Sequence, residues 1–169
     1  MDAIVYTSNT GYTKKYAQLL SDETQIPVFS LDEAESALKK GSDIIYLGWL
    51  MAGNVKGYKR AAELFNILAL CAVGMAPPSE QMAETARKKY DLDGGPVFVL
   101  QGGYAPEKLT GFNKITMKTV TKAMSRDLTK KSSLSDSEKA SLSYFQQGGN
   151  MVSKESLAPV LSWWGGLSR

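Results

Sequence analysis

The chain has 169 residues, 43% of them hydrophobic and 22% charged, which suits one globular domain able to bury a core without metal or disulfide staples. It contains no histidine and a single cysteine, which excludes His-based triads, His metal sites and internal disulfides. The net charge of +3 hides an asymmetry: residues 1–100 carry ten Lys/Arg against twelve Asp/Glu, and residues 101–169 carry ten against five. The second part is therefore the one expected to meet an acidic surface.

No stretch approaches the roughly 20 apolar residues of a membrane span. Met1-Asp2-Ala3-Ile4 runs straight into a strand pattern without a basic leader. Cys71, inside the apolar run Leu68 to Val73, reads as a small core residue. The expectation is a soluble, unprocessed, cytoplasmic protein.

Along the chain, short apolar runs alternate with helical patterns. Strands are predicted at Ala3–Thr7, Pro27–Leu31, Asp43–Gly48, Leu68–Val73 and Pro96–Leu100, all continuous apolar runs suited to burial on both faces. Helices are predicted between them at about Thr13–Ser21, Asp32–Lys40, Tyr58–Phe65 and Ser79–Tyr90, the last with Ser79 as N-cap after the break Pro77-Pro78. Strand–helix alternation of this kind implies a doubly wound α/β fold, a parallel sheet with helices on both sides. After Leu100 the rhythm changes. Gln101 to Pro106 reads as a loop, and a long helix follows over about Asn113–Thr129. Ser135-Asp136-Ser137-Glu138 forms a capping box opening a helix that Gly148-Gly149 closes. A final helix over about Ser153–Trp164 turns Leu157, Val160, Leu161 and Trp164 toward the sheet. Thr129 to Ser137 reads as a polar link.

The chemistry is expected in Ser8-Asn9-Thr10-Gly11-Tyr12-Thr13, between the first strand and the first helix, where open α/β sheets present their ligand loops. A phosphate there would meet backbone N–H groups, the Ser8, Thr10 and Thr13 hydroxyls and the positive end of the helix dipole, with Gly11 allowing close approach. From spacing alone, a hydroxyl-rich N-cap loop without a ligand explains the same residues. Lys14 and Lys15 follow, and adjacent helix positions point apart, so at most one leans toward the loop. A nucleotide P-loop would need Gly-Lys-Ser/Thr here. A phospho-acceptor receiver would need acids where Thr7-Ser8 and Gly48-Trp49 stand, and a low-molecular-weight tyrosine phosphatase would need a cysteine in the first loop.

Ile4-Val5-Tyr6-Thr7-Ser8-Asn9-Thr10-Gly11-Tyr12-Thr13-Lys14 resembles the phosphate-loop signature of the flavodoxins: an apolar strand, Ser/Thr-x-Thr-Gly-x-Thr, then a helix. The resemblance implies a flavodoxin-like three-layer sandwich with a five-stranded parallel sheet of order 2-1-3-4-5. It implies a single domain over residues 1–169, with about 105–150 as a helical insertion after strand five. It also implies non-covalent FMN, its phosphate held by Ser8, Asn9, Thr10, Gly11, Tyr12 and Thr13. The ring is then expected beside Trp49, Leu50, Met51, Ala52, Gly53 and Asn54 after the third strand and Gly74 and Met75 after the fourth. The chain departs from the family pattern where Ala52 stands in place of an aromatic, since alanine cannot stack on the ring. Trp49, Leu50 and Met51 are the candidates to cover one face, although Trp49 equally suits the core. The Gly53 carbonyl is a candidate acceptor for the flavin N5 edge.

In the second half, Lys114, Lys118, Lys122 and Arg126 recur on one helical stripe, opposite Met117, Val120, Met124 and Leu128. The basic stripe is either a solvated face or a docking face for an acidic partner or a membrane surface; no nucleic-acid partner is expected. Val97 to Tyr104 followed by Phe112 to Lys118 is similar to the branch of the flavodoxins that includes the quinone-dependent protoporphyrinogen oxidase of bacteria. Three functions follow as expectations. The first is an FMN redox protein passing electrons to a partner protein or small acceptor. The second is a porphyrinogen-oxidising, quinone-reducing enzyme peripheral to the membrane, and the third a non-catalytic binding module on the same scaffold. No side-chain acid, base or nucleophile is assigned, because the cofactor carries the chemistry.

Overall fold

The computed structural model describes residues 1–109 and 147–167, and between them positions 111, 114, 115, 118, 119, 122, 125, 126, 135, 139, 140, 143 and 144. The chain divides into two compact units, Met1–Gly102 with Met151–Arg169, and Gly103–Asn150.

In the first unit the elements run β1 (Ala3–Thr7), α1 (Tyr12–Thr24), β2 (Val28–Ser30), α2 (Leu31–Ala37), β3 (Asp43–Met51), β4 (Asn54–Val55), α3 (Tyr58–Leu64), β5 (Asn66–Gly74), α4 (Glu80–Lys89) and β6 (Val97–Gln101). The second unit contributes β7 (Gly103–Tyr104) and β8 (Gly149–Asn150), and α5 (Ala158–Leu167) returns to the first. Five strands pair in parallel in the order β2-β1-β3-β5-β6. This is the expected doubly wound, flavodoxin-like arrangement. Three short strands were not foreseen: β4 pairs antiparallel with the end of β3, and β7 and β8 pair with each other where a loop over Gln101 to Pro106 and a helix stop at Gly148-Gly149 were expected.

Side-chain alternation sorts the core into two layers. Ala3, Val5, Ile44 and Tyr46 face α2, α3 and α4, where Leu31, Ala34, Ala61, Phe65, Ala86 and Tyr90 meet them. Ile4, Ile45 and Leu47 face α1 and α5, against Tyr16, Ala17, Leu20, Leu157 and Val160. In β5 the alternation skips a residue, because Ile67 and Leu70 share one face. The β3–β5 register shifts between Ile44 and Ile45, so Leu68 has no partner opposite it. Ser79 accepts from the Met82 N–H as N-cap of α4, as its sequence implied. Ser30 and Glu33 form a full capping box on α2, which lowers the Glu33 pKa through the Ser30 hydroxyl and amide.

In the second unit, Lys114, Ile115, Lys118, Thr119, Lys122 and Arg126 are exposed, and the apolar stripe Met117, Val120, Met124 and Leu128 lies outside the described residues. Of 129–137 only Ser135 is described; its carbonyl accepts from the Lys139 N–H at 3.0 Å, the first bond of a helix capped there, while Glu138 lies outside. The Gly148 N–H closes on the Tyr144 carbonyl at 2.8 Å. Among the described residues no helix is long and apolar enough to cross a membrane.

Cys71 is fully enclosed in the α1/α5 layer, and burial pushes its thiol up to about 12. At pH 8 its thiolate fraction is on the order of 10⁻⁴. An aromatic disulfide reagent is therefore expected to leave the native protein unlabelled and to react completely in denaturant. Rapid labelling of native protein would show the layer to be open.

Candidate functional site

The chain reverses direction across the sheet between β1 and β3, since β2 lies on one side of β1 and all later strands on the other. The carboxyl ends of strands at such a switch point form the crevice where α/β folds bind ligands. Thr7 pairs with Gly48, Trp49 with Val73, and Gly74 with Gln101. The loop that begins at Ser8, the β3–β4 hairpin and the loop that begins at Met75 therefore leave the same sheet edge side by side.

The first loop ends at Gly11, which sits at φ 96° as the residue preceding α1, a left-handed conformation that costs a side-chain-bearing residue about 1–2 kcal/mol. The Gly11 N–H donates to the Ser8 hydroxyl at 3.1 Å. No side chain caps α1, and its first turn holds no acidic residue; Lys14 and Lys15 stand there instead. Two cations at the positive end of a helix dipole are unfavourable until an anion joins them. Thr13 is the one buried polar side chain among the described residues, 2% exposed. Its hydroxyl has no hydrogen-bond partner among them, and no sealed-off side-chain oxygen is left unpaired, so the remaining exposure lies on that oxygen. An uncapped helix start, a glycine turn and a hydroxyl that still meets solvent would fit a phosphoryl group.

Lys14, not Lys15, borders the loop. It lines a cleft of about 520 Å3 with Ser8, Asn9, Gly11, Ser30, Asp32, Gly57 and Arg60, whereas the Lys15 ammonium lies 5.5 Å from the Tyr12 ring centre. Arg60 is held at this cleft by Asp32, at 2.7 Å, and by Glu35. Sequence reasoning missed Ser30 and Arg60. Their only local signal was a cap before α2 and an arginine three residues after Gly57, and neither points to a cleft without the tertiary packing.

Beneath the cleft, the Thr7 hydroxyl donates to the Lys56 carbonyl at 2.8 Å, and the Tyr46 hydroxyl lies 2.8 Å from the same carbonyl and 3.1 Å from Thr7. Burial pushes the Tyr46 phenol up to about 12, so it remains a proton donor. On the other side, Tyr16 donates to the Gln101 carbonyl at 2.6 Å, and the Gln101 amide donates to the Met75 carbonyl at 3.2 Å. These bonds tie α1 to the ends of β5 and β6, fixing where Gly74 and Met75 sit.

The segment after Gly48 is not a loop. Trp49, Leu50 and Met51 continue β3, and Met51 pairs with Asn54 across the two-residue turn Ala52-Gly53. Both turn residues have positive φ, 48° and 70°, the geometry of a type I′ hairpin. Alternation separates the three ring candidates: Leu50 packs on the α2/α3/α4 core layer, while Trp49 is half-buried, belongs to neither layer and has the Lys56 ammonium 5.9 Å from its ring centre. Ala52, Gly53 and Asn54 are exposed. The Gly53 carbonyl accepts from Lys89 of α4 at 2.8 Å, so it is already engaged. Ala52 holds a conformation suited to Gly or Asn, and Ala52→Gly is expected to stabilise the protein by about 0.5–1 kcal/mol, read from urea unfolding. A destabilised variant would mean that the methyl group makes a contact worth more than this strain.

The model for the flavodoxin domain matches residues 3–132. The chain belongs to the flavodoxin domain family. No curated protein matches the chain. Flavodoxin domains are flavin-binding redox modules, and the start of α1 lies within the matched span. Among the described residues no cluster of three or more acidic or cysteine side chains could hold a metal ion.

Proposed function

We propose that this flavodoxin domain binds FMN non-covalently and serves as an electron carrier. The observation that carries the reading is the start of α1, where no side chain caps the helix and the nearly buried Thr13 keeps its remaining exposure on a hydroxyl without a partner among the described residues. In this reading the Ser8, Thr10 and Thr13 hydroxyls and the first-turn amides hold the phosphate, and Lys14 adds charge at its rim. Asn9 and Tyr12 border the same turn. Trp49, with Met51 on its side of β3, and Met75 flank the ring, and the Ala52-Gly53-Asn54 turn and Gly74 shape its edge. Bound FMN supplies the electron transfer; the chain supplies position, shielding and charge. The exposed basic face, Lys114, Lys118, Lys122 and Arg126, is the docking surface for an acidic redox partner or an anionic membrane surface.

The test is the visible spectrum of the purified protein, with the released pigment identified by mass. A yellow protein releasing FMN supports the reading, and colourless protein that takes up no added FMN removes it. Turnover of a porphyrinogen with a quinone would replace the carrier by an enzyme.

The segments Trp49–Lys56 and Gly74–Ser79 contain no acidic residue, and Lys56 lies over Trp49. Little negative charge opposes reduction, so the potential for full reduction is expected to be less negative than in strongly acidic flavodoxins. Reversing one exposed charge nearby is worth roughly 1 kcal/mol, on the order of 40 mV per electron. Lys56→Glu should lower the potential by about that amount in a dye-coupled titration, and an unchanged potential would place the ring away from Trp49.

A further inference from the structure

A second concavity lies between the β3–β4 hairpin and α4. It encloses about 310 Å3 and is walled by Leu50, Met82, Ala86, Tyr90 and Val99, with the Lys89 ammonium at its rim. Its walls are apolar apart from the Gln81 and Thr85 side chains at the edge. The Thr85 hydroxyl is turned back to the Gln81 carbonyl at 2.7 Å.

Lys89 has neutral partners. It donates to the Gly53 carbonyl at 2.8 Å and to the Asn54 side-chain oxygen at 2.9 Å, both neutral acceptors. Among the described residues no carboxylate lies within ion-pair distance of it. Its neighbours Arg87 and Lys88 on the same helix are paired with Glu80 and Glu84. An ammonium has three N–H donors; two go to the hairpin, and the charge also lies 5.8 Å from the Tyr90 ring centre, so no partner of Lys89 is an anion. A cation without a carboxylate partner beside an apolar groove complements a molecule with an apolar body and one negative end. A neutral apolar molecule would leave the charge unanswered, and a hydrophilic anion would leave the walls wet.

We infer that this groove binds a small amphipathic monoanion, an aromatic carboxylate of one or two fused rings, with its rings between Leu50, Met82 and Val99 and its carboxylate on Lys89. The volume sets the upper size. The groove shares only Leu50 and Gly53 with the candidate flavin residues, so the inference does not depend on the FMN reading.

The test titrates the purified full-length protein with 2-naphthoate and, separately, with neutral 2-naphthalenemethanol. Binding is read by calorimetry and located by amide chemical shifts. Saturable 1:1 binding of 2-naphthoate with shifts at Leu50, Met82, Ala86 and Val99 is expected. Lys89→Gln keeps a donor for the Gly53 carbonyl but removes the charge. It should weaken 2-naphthoate by about tenfold or more while changing 2-naphthalenemethanol by no more than about twofold. Met82→Trp, which fills the groove and leaves Lys89 intact, should abolish binding of both. Failure of 2-naphthoate to saturate, shifts elsewhere, equal weakening of both probes in Lys89→Gln, or retained binding in Met82→Trp would overturn the assignment. A dimer that competes with the probe would also overturn it, giving the groove to a second copy of the chain.

Discussion

Replacing Thr13 with valine is expected to weaken FMN binding by roughly 10- to 150-fold while leaving the cofactor-free fold as stable as before, or slightly more so. The affinity loss corresponds to one hydrogen bond to a charged acceptor, about 1.5–3 kcal/mol. The stability prediction follows from the burial. Thr13 is 2% exposed, what exposure remains lies on its hydroxyl, and that hydroxyl has no partner among the described residues, so folding removes most of that oxygen's water without a protein hydrogen bond in return. A methyl group of similar size incurs no such desolvation cost. Fluorescence titration with FMN and urea unfolding of the apoprotein give the two numbers. A structural threonine would behave in the opposite way, with stability lost and affinity retained, and that result would remove Thr13 from the phosphate site.

The second large effect is expected at Gly57, the residue that precedes α3. Its φ is 78°, and a Cβ there would run into the Tyr46 hydroxyl and lie 2.6 Å from the Thr7 methyl group. Gly57→Ala therefore combines left-handed strain of about 1–2 kcal/mol with overpacking of about 1–3 kcal/mol, in total about 2–5 kcal/mol. The residues displaced are the ones that join Thr7, Tyr46 and Lys56 directly below the first loop, so FMN affinity should fall as well. Tyr46→Phe removes the nearest obstacle. In a double-mutant cycle it should recover part of the Gly57→Ala loss. A loss below about 1 kcal/mol in the single variant would mean that the turn can move aside, and the knot would then not fix the loop.

The parts of the molecule legible in the sequence are those that local chemistry specifies. Ala3–Thr7 was bounded correctly because a continuous apolar run meets a hydroxyl-rich turn at once. Ser79 announced its helix through a cap that needs only three following residues. The first loop was readable for the same reason, since hydroxyls, glycine and helix start all lie within six residues. The hairpin was not readable. Its turn uses Ala52 at positive φ, where an Asn-Gly or Asp-Gly pair would mark it, so the sequence pattern ends the strand at Gly48 and not at Met51. The Leu68 bulge was hidden because a uniformly apolar strand has no polar residue to show where alternation slips. The cleft with Ser30 and Arg60 depends on Asp32 and Glu35 meeting an arginine 25 to 28 positions away, which no local pattern encodes.

Every strand of the large sheet has been synthesised by Gln101, yet α5 begins only at Ala158. The sheet end and the returning chain meet where the Met151 N–H donates to the Gly102 carbonyl at 2.8 Å, so the intervening residues are a detour that starts and finishes at one address. While that detour is being translated, the nascent sheet carries α1 but lacks Leu157 and Val160 over Ile45, Leu47 and Cys71. A ribosome stalled in this interval would present a sticky, thiol-bearing flank to chaperones and oxidants. Leu157 and Val160 thus complete the layer around Cys71 well after the strands they cover have been made.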